Sequence, residues 1–587
     1  MNEQSDTSLD VDADPYTLRR EDDGDDAAEA VAHEASPKPD NEDESAHRIF
    51  WADAVADAIE AREPEEPIVI KGGVSPSGVP HLGHVNEILR GYLVAEVLRE
   101  RSHEVRQVFT SDDKDPLRAI PHTLATLAFD RVDLGDADDP GALGRNLGKP
   151  LTDVPDPFRG CECDSFGAHQ TELLERSAER LGVPIEVVSN TDLYAEGAFE
   201  TVTRTLLDRR GQTREVLSGY QSKVNDEYVP FNPVCGNCGK ITETVKHVDL
   251  DGGTVEYVCT DMEAGNKIIE GCGHRGTATL REGKLPWRFE WPAQWKVLEV
   301  DFEPFGKDHA EGSWPSGEAI ASELLESDPP VPMVYEWFTL GGEAISSSAG
   351  NVITVPEVLS MLERPVIKYF FAKDPTRARD FDVSRLDQLV DEFDRLEGVY
   401  FGEIDAPERE RRRAERIYPL LVEEVREDRY RIPYTFAAVL GMTDDPDLRT
   451  ELARRQGHLP EEASERAISA ALARVDRART WAARTDNAYN YRLATDRPET
   501  DIDTDVEAAL DDLADRVASI DASDADAAGE SIQSAIFETA REHDLSPGGL
   551  FTAGYRLFFD AEQGPQLGPF LAELDRAFVL RRLRREG

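Results

Sequence analysis

The chain has 587 residues, and Asp and Glu number 118 against 65 for Lys and Arg, which gives a formal net charge of −53 at pH 7. No run of about 20 apolar residues occurs, so the sequence excludes a membrane-spanning helix. The N-terminus is acidic and lacks an apolar segment, so it is not a secretory signal, and we expect a cytoplasmic protein with no membrane partner.

The acidic residues are spread over the whole chain, and the basic residues are mostly Arg, with 52 Arg and 13 Lys. Two interpretations are open: a surface that repels nucleic acid, or a surface adapted to molar salt, as in halophiles. The even spread favours the second. At about 1 M salt the Debye length is near 3 Å, so this charge does not exclude a nucleic-acid partner.

Residues 1–46 are rich in Asp, Glu, Ala and Ser, and we expect them to form a disordered acidic tail. From residue 47 onward, apolar runs alternate with helical patterns, as in "PIVIKGG", "EILRGYLVAEVLRER" and "HEVRQVFTSDD". This βαβ order predicts a parallel sheet. The chain is therefore predicted to be an α/β protein in which 47–229 forms the first half of a Rossmann-like domain.

The segment "SPSGVPHLGHVNE" (75–87) stands where the first strand ends and a helix begins. Ligands of open parallel sheets bind beyond the carboxyl ends of the strands, and free N–H groups at a helix start favour anions. Two His residues three apart lie on one side of the first turn and can donate hydrogen bonds to a reacting phosphate. The alternative is a purely structural turn. If the segment is a nucleotide site, His81, Gly83 and His84 would lie at the phosphate and Pro76, Ser77 and Gly78 against the nucleotide.

The six Cys residues all lie between 161 and 272. Cys235-x-x-Cys238 followed by Cys259 and Cys272 offers four thiolates, the ligand set of a structural Zn²⁺ site. Residues 230–285 are therefore predicted to form a zinc-knuckle insertion in the α/β domain. Buried free thiols are the alternative, and His274 is an alternative ligand to Cys272.

The pattern "PMVYEWFTL" (332–340) predicts another strand, so that 286–370 forms the second half of the Rossmann-like domain. The Ser-rich stretch "GGEAISSSAGNVIT" (341–354) follows this strand and is either a functional loop or a linker. From residue 371 the pattern is helical, which predicts an all-α half over 371–587.

Several segments together resemble one family. His81-Leu82-Gly83-His84 resembles the HIGH signature of class I aminoacyl-tRNA synthetases, and "ISSSAGN" (345–351) resembles the "KISSSKGN" loop of the class I lysyl-tRNA synthetases. "TSDDKDPLRAIP", "FEPFGKDHAEGSWPSG" and "QLGPFLAEL" are similar to further segments of that family. The resemblance covers about 47 to 587. The departure is that Ala344 and Ala349 stand where the family has Lys.

The resemblance implies activation of L-lysine with ATP and Mg²⁺, transfer of the lysyl group to tRNA(Lys), and no DNA partner. It also implies a helical stem and anticodon-binding domain within 371–587. The Arg-rich runs at 408–416 and 581–586 are then either phosphate contacts or Arg/Glu pairs on exposed helix faces.

The resemblance also implies roles for single residues. Ser346, Ser347 and Ser348 would act with the two His residues, and Gly306, Asp308, His309, Ile345 and Gly350 would bind ATP. A first metal site would use Asp156, Cys161, Cys163 and His169, with Cys where the family has one His. A lysine pocket needs a buried acid and an aromatic wall, and the candidates are Ser75, Glu87, Asp112, Trp291 and Tyr335.

Three alternatives remain open at this point. The first is a glutamyl, cysteinyl or arginyl enzyme of the same class. A basic residue for the side-chain carboxylate would favour glutamate, and a Zn²⁺ that faces the substrate would favour cysteine. Another HIGH-type nucleotidyltransferase would be a shorter chain. A zinc-bearing RNA-binding protein without catalysis is compatible with Ala344 and Ala349.

Overall fold

The computed structural model describes residues 49–587, except 222–223, 266, 346–350, 495, 501, 522–524 and 587. The predicted acidic tail lies outside the described residues. The chain divides into two compact units. The first comprises the described residues up to 358 together with 367–382 and 399–423, and the second comprises 359–366, 383–398 and 424–587.

All strands described belong to the first unit. In chain order they are β1 (Ile68–Val74), β2 (Val105–Ser111), β3 (Thr123–Ala125), β4 (Arg131–Asp133), β5 (Glu186–Ser189), β6 (Asn232–Pro233), β7 (Val245–Asp249), β8 (Thr254–Val258), β9 (Met262–Ala264), β10 (Lys267–Ile269), β11 (Arg275–Thr279), β12 (Gly283–Lys284), β13 (Phe302–Gly306), β14 (Val331–Tyr335), β15 (Phe338–Leu340), β16 (Glu343–Ala344) and β17 (Arg379–Phe381).

The helices are distributed over both units. In chain order they are α1 (Trp51–Glu60), α2 (Leu82–Glu100), α3 (Ala142–Arg145), α4 (Phe166–Arg180), α5 (Asn190–Glu196), α6 (Glu200–Asp208), α7 (Arg210–Ser218), α8 (Trp287–Leu298), α9 (Ser313–Ala319), α10 (Val355–Leu359), α11 (Arg364–Ala372), α12 (Leu386–Tyr400), α13 (Glu408–Leu421), α14 (Tyr434–Leu440), α15 (Pro446–Arg455), α16 (Glu465–Thr485), α17 (Thr504–Ser519), α18 (Ala525–Glu542), α19 (Pro547–Phe559), α20 (Leu567–Glu573) and α21 (Arg576–Leu583). Among the described residues, none of these helices is long and apolar enough to cross a bilayer.

The central sheet has five strands in the order β14-β13-β1-β2-β5, and every pair is parallel. Its strands are mostly buried, as expected for a parallel sheet covered on both faces. Strand β1 comes from the predicted first half of the Rossmann-like domain and lies beside β13, which comes from the predicted second half, with Ile70 opposite Phe302. The predicted α/β, Rossmann-like fold class is confirmed.

An aromatic core fixes α8 and α9 against this sheet. Trp291, Trp295 and Trp314 are buried together with Phe305 of β13 and Val69 of β1. The rings of Phe305 and Trp314 are stacked, with centroids 4.3 Å apart. Burial of such large side chains contributes most of the stabilisation of a core, at about 25 cal/mol per Å² of apolar surface.

The predicted insertion at 230–285 consists of short antiparallel pairs. The strands β11, β8 and β7 form one sheet, while β9 pairs with β10 and β6 pairs with β12. Its small core contains Val255, Tyr257 and Ala278 together with the buried thiols of Cys235 and Cys259.

A three-stranded sheet, β16-β15-β17, follows the central sheet. β17 pairs in parallel with β15, with Phe338 opposite Arg379. This strand lies within the region predicted to be all-α, so that expectation is wrong for 379–381. The reason is that a strand of three residues, paired with residues 41 positions earlier, leaves no periodic signal in the local sequence.

The second unit is helical. Arg474 of α16 is buried there and donates from its guanidinium to both carboxylate oxygens of Asp394, at 2.6 and 2.8 Å. Its Nε donates to Glu363 at 2.7 Å. Because burial opposes the charge and the two carboxylates outweigh that effect, the pKa of Arg474 is raised. This ion triad connects α16, α12 and the segment before α11 within the unit.

Candidate active site

The two His residues of segment 75–87 lie at the N-terminus of α2, directly beyond the carboxyl end of β1. The Nδ1 atom of His81 accepts a hydrogen bond from the Gly83 N–H at 3.1 Å. His84 Nδ1 accepts from the His81 N–H at 3.3 Å. An Nδ1 that accepts carries no proton, so each neutral ring holds its proton on Nε2. The rings are stacked, with centroids 4.0 Å apart.

Both imidazoles are neutral at pH 7. Burial lowers the pKa of His81 to about 4. Burial and the neighbouring His81 ring lower the pKa of His84 well below its ordinary value. The site therefore offers two uncharged Nε2–H donors, which can bind a phosphate oxygen without holding the substrate as a fixed ion pair.

The base of the Ser-rich loop lies beside the same turn. A Cβ added to Gly83 would lie 2.7 Å from His81 Cε1 and 3.8 Å from Ile345 Cγ2, so this position requires Gly and also touches the loop. The Leu82 N–H donates to the Ile353 carbonyl at 2.9 Å. The structure thus brings together two motifs that lie more than 250 residues apart in the chain. Ser346, Ser347, Ser348 and Gly350 lie outside the described residues.

The residues between β1 and α2 form a tight turn. The Ser77 N–H donates to the Ser75 carbonyl at 2.8 Å. Pro76 is buried, Ser77 is exposed, and Gly78 is half-buried. The backbone of Val74 accepts from the Asp112 N–H at 2.9 Å, which places the end of β2 beside this turn.

Glu87 lies one turn into α2 and points back to the sheet. Its Oε1 accepts from the Gly73 N–H at 2.7 Å, and its Oε2 accepts from the Tyr335 hydroxyl at 3.3 Å. Burial, with the nearby Glu303 carboxylate, raises the pKa of Glu87 to about 8. A half-buried acid whose hydrogen-bond donors are all neutral is an expected ligand for an ammonium group.

A buried ion pair beside Glu87 was not predicted from the sequence. Lys71 of β1 and Glu303 of β13 are both buried, and Lys71 Nζ lies 2.7 Å from Glu303 Oε1. The indole N–H groups of Trp291 and Trp295 donate to the two Glu303 oxygens at 2.9 and 2.5 Å. The sequence did carry one signal of this pair, because Lys71 is a charged residue inside the apolar run "IVIKGG". The ammonium group of Lys71 is therefore paired with a protein carboxylate.

Trp291 is buried, with 5% of its surface exposed. Its ring contacts that of His309, with centroids 5.5 Å apart. The His309 Nε2 lies 3.4 Å from Asp308 Oδ2, and burial lowers the pKa of His309. A Cβ on Gly306 would lie 2.6 Å from Asp308 Oδ1, so the backbone of this segment approaches Asp308 closely.

Asp112 is the second buried acid at this edge of the sheet. Its Oδ1 accepts from Asn190 Nδ2 at 2.8 Å and from Gln294 Nε2 at 2.9 Å. Burial, with the neighbouring Asp115, raises the pKa of Asp112 to about 6. Lys284 of β12 donates to Asp115 and, at 2.7 Å, to Glu290. Those two acids therefore have a cationic hydrogen-bond donor, whereas the donors to Asp112 are the side-chain amides of Asn190 and Gln294.

The four Cys residues of the insertion converge on one point, with their sulfur atoms within 4.8 Å of one another. Zn–S bonds of about 2.3 Å place the sulfurs of a tetrahedral site about 3.8 Å apart. The Cys235–Cys272 and Cys238–Cys259 sulfur distances are both 3.7 Å, which fits such a site. The donor set is closed, because all four ligands come from the protein.

Asp156, Cys161, Cys163 and His169 form a second group with ligand atoms within 4.8 Å of one another. His169 Nε2 lies 2.9 Å from the Ala125 carbonyl, which can only accept, so this nitrogen carries a proton. The Nδ1 atom then faces Cys161 Sγ at 3.4 Å and Asp156 Oδ2 at 2.7 Å. A backbone carbonyl that fixes the tautomer in this way is typical of metal-binding His residues.

A parallel sheet with the His turn and the base of the Ser-rich loop at its carboxyl edge is the arrangement expected of a class I aminoacyl-tRNA synthetase. Residues 49–423 match the family described as tRNA synthetases class I (K). The chain is 64% identical over 547 residues to the lysine–tRNA ligase of Halobacterium salinarum, which covers 93% of this chain and 98% of that protein. It is 64% identical over 539 residues to the lysine–tRNA ligase of Haloarcula marismortui, with 92% and 97% covered.

A more distant relative is the lysine–tRNA ligase of Pyrococcus horikoshii, 29% identical over 557 residues, with 92% of this chain and all of that protein covered. The chain belongs to the class I tRNA synthetases of the (K) family. The resemblance predicted from the sequence is confirmed.

Proposed function

We propose that this protein is a lysine–tRNA ligase, which activates L-lysine with ATP and transfers the lysyl group to the 3′ end of tRNA(Lys). The observation that carries the proposal is the meeting of His81, His84 and the loop base at Ile345 beside a half-buried carboxylate, Glu87. The names of the relatives agree with it.

Activation is an in-line attack of the lysine carboxylate on the α-phosphate of ATP, with loss of pyrophosphate. The Nε2–H groups of His81 and His84 would donate to the phosphate oxygens as negative charge develops. Pro76, Ser77 and Gly78 would lie against the nucleotide, as would Gly306, Asp308, His309 and Ile345. The loop residues Ser346, Ser347, Ser348 and Gly350 remain predicted contacts of the phosphates. Mg²⁺, when bound with ATP, would supply charge neutralisation for the pyrophosphate.

Two acids with neutral hydrogen-bond donors match the two ammonium groups of lysine. Glu87 is half-buried and Asp112 is buried, and the hydrogen bonds that they accept all come from neutral groups. Tyr335, Trp291 and the turn at Ser75 would form the walls of the pocket. Both acids are therefore proposed as ligands of these ammonium groups.

The same contacts disfavour the alternatives. A glutamate substrate would place a third carboxylate beside Glu87 and Asp112, while Lys71 and Lys284 are already paired with protein acids. A cysteine enzyme needs a zinc ion with an open position, whereas the Cys235 cluster fills four positions with thiolates.

Lysine binding is expected to depend on pH through Glu87. Below its pKa of about 8 the empty site holds a protonated carboxyl, which must lose its proton before it pairs with an ammonium group. Raising the pH from 6.5 to 8.5 should therefore lower KM for lysine on the order of tenfold. Steady-state kinetics at a series of pH values measures this. A KM that stays constant over the range would show that Glu87 is already ionised.

The two Cys-containing groups are proposed zinc sites that hold loops of the first unit in place. Cys238→Ser and Cys163→Ser should each remove about one zinc per chain, and loss of the four-thiolate site should lower the unfolding midpoint by several degrees. Elemental analysis and calorimetry measure both effects. Thr260→Ser, beside Cys259, is the control and should keep all the metal. Zinc retained in full by Cys238→Ser would contradict the assignment.

The second unit is proposed to carry the anticodon-binding helices. In the Arg run at 408–416, which belongs to the first unit, Arg411 pairs with Glu408 at 2.6 Å and Arg416 pairs with Asp53 and Glu100, both at 2.7 Å. The contacts of these two residues favour ion pairing over phosphate binding. The cytoplasmic location predicted from the sequence stays a prediction.

Charging of tRNA tests the proposal. Full-length protein in molar salt should attach labelled lysine to tRNA(Lys), and the label should be released by base, as expected of an ester. No charging of tRNA(Lys) by the wild-type chain would overturn the proposed function.

A further inference from the structure

Trp337 differs from the other tryptophans of the chain. It lies two residues after β14 and exposes 56% of its surface. Of the seven Trp residues, the other six are half-buried or buried: Trp51, Trp287, Trp291, Trp295, Trp314 and Trp481. An exposed indole that is also held in place is a common means of binding a flat ligand.

Its indole is fixed from one side. The Nε1–H group donates to Asp308 Oδ1 at 3.3 Å. The ammonium group of Lys307 lies 5.1 Å from the ring centroid, and it is ion-paired with Glu336 at 2.6 Å. Among the described residues, no aromatic ring packs against Trp337. The ring is therefore oriented by its polar neighbours, and much of its surface remains available.

The indole lies at the same edge of the sheet as the candidate active site. Asp308, its hydrogen-bond partner, follows β13, and the close approach of Gly306 also brings this segment near Tyr335. Tyr335 in turn donates to Glu87. After Trp337, the hairpin of β15 and β16 leads to Ile345, beside the His turn.

We propose that the Trp337 indole is a stacking surface for an adenine ring. The inference rests on the proposed function, whose two large substrates both carry adenine: ATP and the 3′-terminal adenosine of tRNA. Aromatic stacking suits either source, because it needs only the face of the base and no particular hydrogen-bond pattern. Kinetics with each substrate varied in turn distinguishes the two sources.

The test compares Trp337→Ala with wild type in tRNA charging at saturating lysine. Loss of one base–aromatic contact is expected to raise the KM of the substrate that stacks by about tenfold. A rise in KM for ATP alone assigns the adenine of ATP, and a rise in KM for tRNA alone assigns the terminal adenosine. Trp337→Phe keeps an aromatic face and should recover most of the loss.

The control is Tyr220→Ala, which removes another exposed aromatic residue of the first unit and should change neither KM. Equal thermal midpoints of the variants would show that folding is intact. If wild type charges tRNA, three results for the Trp337 variants would overturn the inference. These are unchanged KM values for both substrates, a loss confined to kcat, and a Phe variant as impaired as the Ala variant. An inactive wild type would instead overturn the proposed function, and the inference with it.

Discussion

His84→Ala is expected to slow formation of lysyl-adenylate by a factor of about 10²–10³, the usual effect of removing one preorganised donor to a developing oxyanion. The structure gives the physical reason. The His84 Nδ1 is occupied by the His81 N–H, so Nε2 must carry the proton and is the atom available to the phosphate. Since this donor acts on charge that develops during the reaction, KM for lysine should change little.

Pre-steady-state measurement of adenylate formation, with lysine titrated, separates the two effects. The control is His103→Ala, because His103 binds Glu60 and Glu66 at the surface of the same unit. An equal loss in rate and in lysine affinity would count against the assigned role. Gly83→Ala offers a check on geometry, since its Cβ would collide with the His81 ring and displace it.

Glu87→Gln is expected to reduce kcat/KM for lysine by at least about thirtyfold, because it removes the charge of one partner in a buried ionic contact. The amide oxygen of Gln can still accept from the Gly73 N–H, so the local backbone should be preserved. The variant should also lose the fall in KM between pH 6.5 and 8.5. Steady-state kinetics at several pH values measures both results.

Glu96→Gln is the matched control, because Glu96 lies on the same helix and pairs with Arg99 at the surface. It should leave lysine kinetics and their pH dependence unchanged. A Glu87→Gln enzyme that binds lysine normally, or that keeps the wild-type pH dependence, would exclude Glu87 as the ammonium ligand.

Local pattern was sufficient to predict the parts of the site that lie close together in the chain. The strand at "IVI", the His turn and the helix after it form one βα unit, and their order alone places His81 and His84 at the carboxyl edge of a sheet. The CxxC spacing likewise predicted a cluster whose sulfur atoms the structure brings together.

The parts of the site that depend on strand order were not predictable. Lys71 and Glu303 are 232 residues apart and meet only because β13 lies beside β1. Lys284 of the insertion likewise meets Asp115, which lies 169 residues earlier in the chain. No periodicity in the sequence states which strands are neighbours. That Glu87 and Asp112 accept hydrogen bonds only from neutral groups therefore emerged only from the fold.

The Ser-rich loop has Ala344 and Ala349 where the family has Lys. The most direct test of the proposed function is therefore to find which amino acid this protein activates. We would measure ATP–pyrophosphate exchange in molar salt, with and without tRNA, for each of the twenty amino acids separately. The account predicts exchange with lysine alone, and it predicts that Ala344 and Ala349 do not prevent activation. Exchange with a different amino acid, or no exchange with any of them in the presence of tRNA, would contradict it.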